Sequence, residues 1–189
     1  MTPVLLHLLR HGEPETAGLL LGHDDAAPTR AGIDACREQV AGLKIATIVA
    51  SDLARARLAA AAIGRDRGLA VTLDPRWREL DFGDWNGLTP AAVPAEAMAR
   101  FWDDPDANPP PAGERWSSLV ARVAAAIGDC GAGPVLVVTH GGAMRAALAH
   151  LCAFAQPQLW AFDLAYAGLL SLKLWPGPNP SAQIVGLWP

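Results

Sequence analysis

The chain predicts an α/β protein built on a mostly parallel sheet, and three observations carry that expectation. Short apolar runs alternate with helical segments along most of its length. The run PVLVVTH at 134–140 is apolar almost throughout, as in a strand covered on both faces. Gly and Pro punctuate the segments and do not pool into low-complexity tracts, while apolar types make up 51% of the chain. With 189 residues the length fits one domain, 1–189, arranged as a three-layer α/β/α sandwich.

The elements follow in order. Residues 4–9 read as a buried strand, after which a polar loop, GHDDAAPTRAG, leads to Thr29 as the N-cap of a helix ending near Gly42. ATIVAS at 46–51 is a second strand, and Ser51 or Asp52 is placed to cap the Ala- and Arg-rich helix that runs to about Gly68. LAVTLD supplies a third strand. RWRELDFGDWNGLTP is irregular, aromatic and glycine-containing, the look of a functional loop.

A helical piece spans about 90–103, and DDPDANPPPAGE then breaks regular structure, because three consecutive prolines cannot continue a helix. WSSLVARVAAAIGDCG is an amphipathic helix, PVLVVTH the fourth strand, and GGAMRAALAHLC a helix starting directly behind it. The tail holds two strands, near 168–174 and 182–187, joined by the turn PGPNP, so an antiparallel edge is expected there.

Composition narrows the partners. The formal net charge is −4, from 15 Lys+Arg against 19 Asp+Glu, and no basic run tracks a nucleic-acid backbone, so nucleic acid is not an expected partner. Cys36, Cys130 and Cys152 are widely spaced, odd in number and without a CxxC pair, as expected of reduced thiols in a cytoplasmic protein. The early apolar run is interrupted by His7 and followed by Arg10, unlike a leader, and no stretch reaches spanning length, so no membrane is expected. Trp160, Trp175 and Trp188 and the tail edge fit a monomer or a homodimer equally.

Two strands end alike. HLLRHG at 7–12 and VVTHGG at 137–142 each present a histidine followed by glycine, and ligands of doubly wound sheets sit at the carboxyl ends of the strands. Fixed cations, close backbone N–H groups and a nucleophile that can leave again are what a phosphoryl group demands. Arg10, His11, Gly12, His140 and Gly141 supply that set. The glycines allow close backbone approach, and a helix beginning at Gly141 or Gly142 aims its positive dipole end at an anion.

The motifs RHGE near the N-terminus, SDLARARLAA at 51–60, RELDFGDWNGLT at 78–89 and VTHGGAMRAAL at 138–148 resemble, in that order, those of the histidine phosphatase superfamily, also called phosphoglycerate mutase-like. The resemblance implies a phosphoglycerate mutase-like fold and metal-independent phosphomonoester hydrolysis through a phosphohistidine on His11. Arg10, Arg55 and His140 would hold the phosphoryl oxygens, and Glu79 would act as general acid and then base. No cofactor is implied.

Several positions depart from the family's pattern. Pro14 and Ala17 stand where many members carry Thr and Asn, Ala59 replaces a common Thr, Asn86 sits where WEG is frequent, and Arg115 takes a serine place. The loss of a polar residue at Ala17 removes one expected phosphate contact.

The stretch 90–112 is short, proline-rich and nearly without cations, which favours hydrolysis over the mutase reaction. The HGEPE opening, the GHDDAAPTRAG loop and PPPAGE resemble bacterial alpha-ribazole phosphatase-like proteins, which act in cobalamin assembly. A mutase and a catalytically silent phosphate-binding module stand as alternatives.

Other candidates weigh less. His7 and His11 on one strand stand about 13 Å apart, too far to chelate one ion, so His7 reads as a satisfied core histidine. His23-Asp24-Asp25 reads as turn chemistry, and Arg57, Arg65 and Arg67 as a solvated helix face. Arg145 is placed to brace the second histidine strand. Of the tryptophans at 77, 85, 102 and 116, Trp85 is the first candidate for the pocket wall.

Overall fold

The computed structural model describes residues 2–189, in which six strands form one sheet with helices on both faces. The strands are β1 (Val4–Arg10), β2 (Thr47–Ala50), β3 (Val71–Leu73), β4 (Val135–Thr139), β5 (Leu169–Trp175) and β6 (Ser181–Trp188). Their order is β3-β2-β4-β1-β5-β6. The first four run parallel, and β5 and β6 pair antiparallel at one side, the edge expected from the tail.

The helices are α1 (Arg30–Gln39), α2 (Ala54–Arg67), α3 (Ala95–Asp103), α4 (Trp116–Gly128) and α5 (Gly141–Cys152). Strand side chains alternate between two cores, as a pleated sheet requires. Leu6 and Leu8 of β1 and Val135 and Val137 of β4 face the core that α4 and α5 cover with Leu119, Val123, Met144 and Leu148. Leu9, Leu136 and Val138 face the core that α1 and α2 cover with Cys36, Ala56, Ala60 and Ile63. The three layers of the sequence reading are present.

Local chemistry accounts for two helix ends. Thr29 caps α1 by accepting from the Gly32 N–H at 2.9 Å, as expected. Gly68 closes α2 in the left-handed conformation at φ 64°.

The start of α2 corrects the reading. Neither Ser51 nor Asp52 caps it; Leu53 holds the cap position, and the carboxylate of Asp25, from the distant His23-Asp24-Asp25 loop, accepts the Ala54 N–H at 2.5 Å. Asp52 is committed elsewhere, in a two-bond ion pair with Arg78.

The expected helix over 90–103 is divided, with a 3-10 turn at Pro90–Ala92 and α3 beginning after Pro94. A further 3-10 turn at Gln156–Ala161 lies in a stretch that the sequence left without an element. Arg67 is no mere surface cation: its guanidinium donates to the carbonyls of Val40, Ala41 and Leu43 beyond the end of α1. No helix among the described residues is long and apolar enough to cross a membrane.

Candidate active site

Register brings the two histidines together. Arg10 of β1 pairs with Thr139 of β4, so His11 and His140, each the next residue, leave neighbouring parallel strands at the same level. The His11 N–H donates to the Thr139 carbonyl at 2.8 Å, which continues the ladder one step past the strand end. Their rings stand 5.1 Å apart between centroids. β2 ends beside β4 as well, and the Ser51 N–H donates to the Val138 carbonyl at 3.0 Å, which sets Ser51 next to His140.

The hydrogen bonds of His11 define its reactive atom. Nδ1 lies 2.7 Å from the Gly12 carbonyl, which only accepts, so Nδ1 carries the proton and Nε2 presents a lone pair. Burial first, then the charge of Arg55 and that of Arg10, holds the imidazole well below its ordinary value, although the Gly12 bond pulls the other way. The environment keeps His11 a neutral imidazole whose Nε2 is free to act as a nucleophile.

His140 is fully buried, and burial and the Arg55 charge likewise keep it neutral. Its Nε2 lies 2.8 Å from Ser51 Oγ. That oxygen accepts the Leu53 N–H, so its own proton is available to Nε2, and Nδ1 is then the N–H of the ring.

Three side chains complete the charged end. Arg10 donates to the Leu164 carbonyl at 2.6 Å, and its guanidinium lies 4.2 Å from the Tyr166 ring centroid. Arg55, 1% exposed, is spread over the carbonyls of Leu21, Gly22 and Asp24. Glu79 lies at the start of α5, where Oε2 accepts the Gly142 N–H at 3.1 Å and Oε1 accepts the Leu80 N–H at 2.8 Å.

A side chain at position 142 would collide with that carboxylate, because a Cβ there would stand 2.0 Å from Oε1. The Nε atoms of Arg10, Arg55 and Arg145 and the Nδ1 of His140 are buried without a protein partner. Donors in surplus around one nucleophile suit an anion with several acceptor oxygens.

These residues open on a cavity of about 340 Å³, to which Arg10, His11, Arg55, Glu79, Gly141 and Gly142 contribute. Gly12 does not line it. A Cβ on Gly12 would meet the Gly32 carbonyl at 2.0 Å, so this glycine serves the close approach of α1 to the end of β1. His140 is enclosed beside His11.

Trp85, 7% exposed, and Trp77, fully enclosed, belong to the core, while Trp102, Trp116 and Trp160 line the cavity. Ala17 and Arg115 are exposed and do not line it. Arg115 instead donates to the Asp106 carbonyl. His7 is a satisfied core histidine, 2.7 Å from Ser171 Oγ. Among the described residues no three His, Cys, Asp or Glu side chains cluster as metal ligands do.

Sequence reasoning gave Arg145 only as a brace for the second histidine strand, and missed Arg122 and Tyr166. Arg145 lies four residues after Gly141, hence on the same face of α5, and that spacing is a signal. Arg122 is the one charged residue of α4; it donates to the carbonyls of Arg76, Arg78 and Glu79 at 2.7–2.8 Å and makes a bidentate pair with Glu114. Tyr166 gives no local signal at all.

Known proteins share this arrangement of motifs and fold. The family model described as histidine phosphatase superfamily (branch 1) matches residues 6–182. The chain belongs to that superfamily.

Within the superfamily it is similar to glucosyl-3-phosphoglycerate phosphatase of Mycobacterium tuberculosis, 34% identical over 165 residues that cover 77% of this chain and 74% of the relative. A "Probable phosphoglycerate mutase" of Erwinia tasmaniensis is 32% identical, over 74% of this chain and 70% of that protein. The adenosylcobalamin/alpha-ribazole phosphatase of Salmonella typhimurium is 31% identical, over 83% and 84%. The solved complex of mycobacterial glucosyl-3-phosphoglycerate phosphatase with inorganic phosphate superposes with a TM-score of 0.82 at 28% identity, covering 98% of this chain and 96% of the other.

Proposed function

We propose that this histidine phosphatase superfamily member hydrolyses small phosphomonoesters through a phosphohistidine on His11. The observation that carries the reading is the fixed tautomer: the Gly12 carbonyl takes the Nδ1 proton, and the bare Nε2 stands in a buried site with Arg10, Arg55 and His140.

In the first step Nε2 attacks phosphorus, the bond to the ester oxygen breaks, and Glu79 gives that oxygen a proton. In the second, the Glu79 carboxylate takes a proton from water as its oxygen attacks phosphorus. The P–N bond breaks, and phosphate leaves with His11 neutral again. Arg10 and Arg55, with Nδ1–H of His140 and the start of α5, stabilise the charge that gathers on the equatorial oxygens. Each step runs on the chain's own side chains.

Relatives named as phosphatases support hydrolysis, and the phosphate complex of one of them supports the anion site. Alpha-ribazole 5'-phosphate is the first named candidate substrate, on the likeness to the Salmonella protein. Mutase chemistry is the weaker reading: the one cation in 90–112 is Arg100, which is exposed and beside Glu96.

The test is turnover of a generic phosphomonoester in EDTA, with and without vanadate. We expect vanadate-sensitive release of phosphate and an acid-labile phosphoenzyme that is lost in His11→Ala and accumulates or forms slowly in Glu79→Gln. Absence of both turnover and phosphorylated His11 in the wild type overturns the proposal.

A further inference from the structure

The cavity is divided by chemistry. Its charged lining residues, Arg10, Arg55, Glu79 and Arg145, are all drawn to the His11 end. Arg145 belongs there because its Nη1 would stand 3.2 Å from a Cβ on Gly141, with Arg10 Nε 3.6 Å from the same point. The Trp160 ring covers one face of the Arg145 guanidinium at 4.3 Å, and its buried Nε, without a protein partner, is one of the donors that suit the phosphoryl anion.

The remainder of the lining is apolar apart from Gln156 and Tyr166. It includes the rings of Trp102, on α3, and Trp160, on the 156–161 turn. These two indoles meet edge to face, 4.8 Å between centroids and at 81°. Both rings line the cavity and are 43% and 48% exposed, so an edge-to-face pair at its rim remains open to a ligand.

The pair does not float. Trp102 packs on Phe101 at 4.9 Å, and Phe101, 3% exposed, is locked edge-on against the core Trp85 at 5.7 Å. A chain of rings therefore runs from the core to the cavity and ends at Arg145. Rigid aromatic surface of this kind recognises a flat apolar group at small entropic cost, and it offers nothing to a carboxylate.

We propose that the alcohol part of the substrate carries a flat, uncharged aromatic ring, which the Trp102–Trp160 pair receives while the phosphoryl group lies at His11. This substrate class rests on the phosphomonoesterase reading given above. It separates two chemistries: beyond Arg145, which lies at the phosphoryl end, a carboxylated sugar phosphate would find no cation along the aromatic lining, whereas an aryl-bearing phosphate finds a matched wall.

Binding is measured apart from turnover, by calorimetry with non-hydrolysable phosphonates. The probes are 2-naphthylmethylphosphonate, ethylphosphonate and 3-phosphonopropanoate, on the wild type and on Trp102→Ala, which spares the ring that covers Arg145. The naphthyl probe is expected to bind at least about tenfold more tightly than ethylphosphonate, with most of that advantage lost in Trp102→Ala. Trp102→Phe is expected to keep part of it.

A naphthyl probe no tighter than ethylphosphonate overturns the inference. So does a preference for 3-phosphonopropanoate, or an advantage that Trp102→Ala leaves whole. The two proposals fail separately: aryl-selective binding without hydrolysis of 2-naphthylmethyl phosphate sinks only the phosphatase reading, and hydrolysis of small esters without aryl selectivity sinks only this one.

Discussion

Ser51 shows how one buried hydroxyl sets the chemistry of a neighbour. It has no exposed surface, closes β2, and joins Nε2 of His140 to the first turn region of α2 through the Leu53 N–H. Without Oγ, Nε2 becomes a buried polar atom with no partner, and the ring loses the bond that keeps its proton on Nδ1. Ser51→Ala is expected to lower kcat by on the order of tenfold to a hundredfold, with stability falling by about 1–3 kcal/mol. Nitrogen-15 shifts of the His140 ring report the cause directly: a wild-type tautomer in an impaired Ser51→Ala enzyme would exclude this role. Glycines at the site teach a similar point. The sequence marks Gly12 and Gly141 for backbone approach to a ligand, but the tight contacts are those of Gly12 with Gly32 and of Gly142 with the Glu79 carboxylate. A glycine announces that something comes close, and the sequence does not say what.

At the scale of elements, α4 holds the loop that carries Glu79 from a distance. Arg122 pins the loop carbonyls of Arg76, Arg78 and Glu79, and Glu114 holds the guanidinium in place while His23 Nε2 lies 3.1 Å from the same Glu79 carbonyl. Arg122→Met keeps the stem's packing and removes those bonds. On the proposed mechanism the expected result is a kcat lower by about 10- to 100-fold with KM changed far less, since Arg10 and Arg55 are untouched while Glu79, its proton donor, drifts. Equal losses in both parameters would point to general loosening of the site. Much of this level was legible beforehand. The strands, α1, α5 and the paired His-Gly ends follow from apolar runs, caps and spacing, all local signals. What escaped is nonlocal: Asp25 capping α2 across 29 residues, Arg122 reaching the 76–79 carbonyls, and the aromatic wall drawn from α3 and the 156–161 turn. Trp85 and Trp102 look alike in sequence. Only the packing of α3 decides that one is core and the other faces the cavity.

Over the whole molecule the buried histidines set the response to acid. His7, His11 and His140 are all held below their ordinary value of 6.5, each first by burial, so the folded chain keeps them neutral where the unfolded chain would charge them. A depressed histidine makes the unfolded state the better proton acceptor as pH falls through 6.5, and stability is lost from there downward. Each adds a slope of up to about 1.4 kcal/mol per pH unit until its folded value is reached. The carboxylates act lower. Asp52 and Asp66 are held below their ordinary 3.8, chiefly by hydrogen bonds from Arg78 and Arg37, so their contribution persists above that value and fades only beneath it. Melting temperature measured against pH should therefore be level from about 7 to 8.5 and decline below about 6.5, well before the carboxylate range. Saturating vanadate should raise the melting temperature across this range, because an oxyanion held beside His11 and His140 binds the folded chain alone. A melting temperature that stays level to pH 5 would mean that these imidazoles charge freely in the folded protein, and with it the neutral nucleophile on which the mechanism depends would be lost.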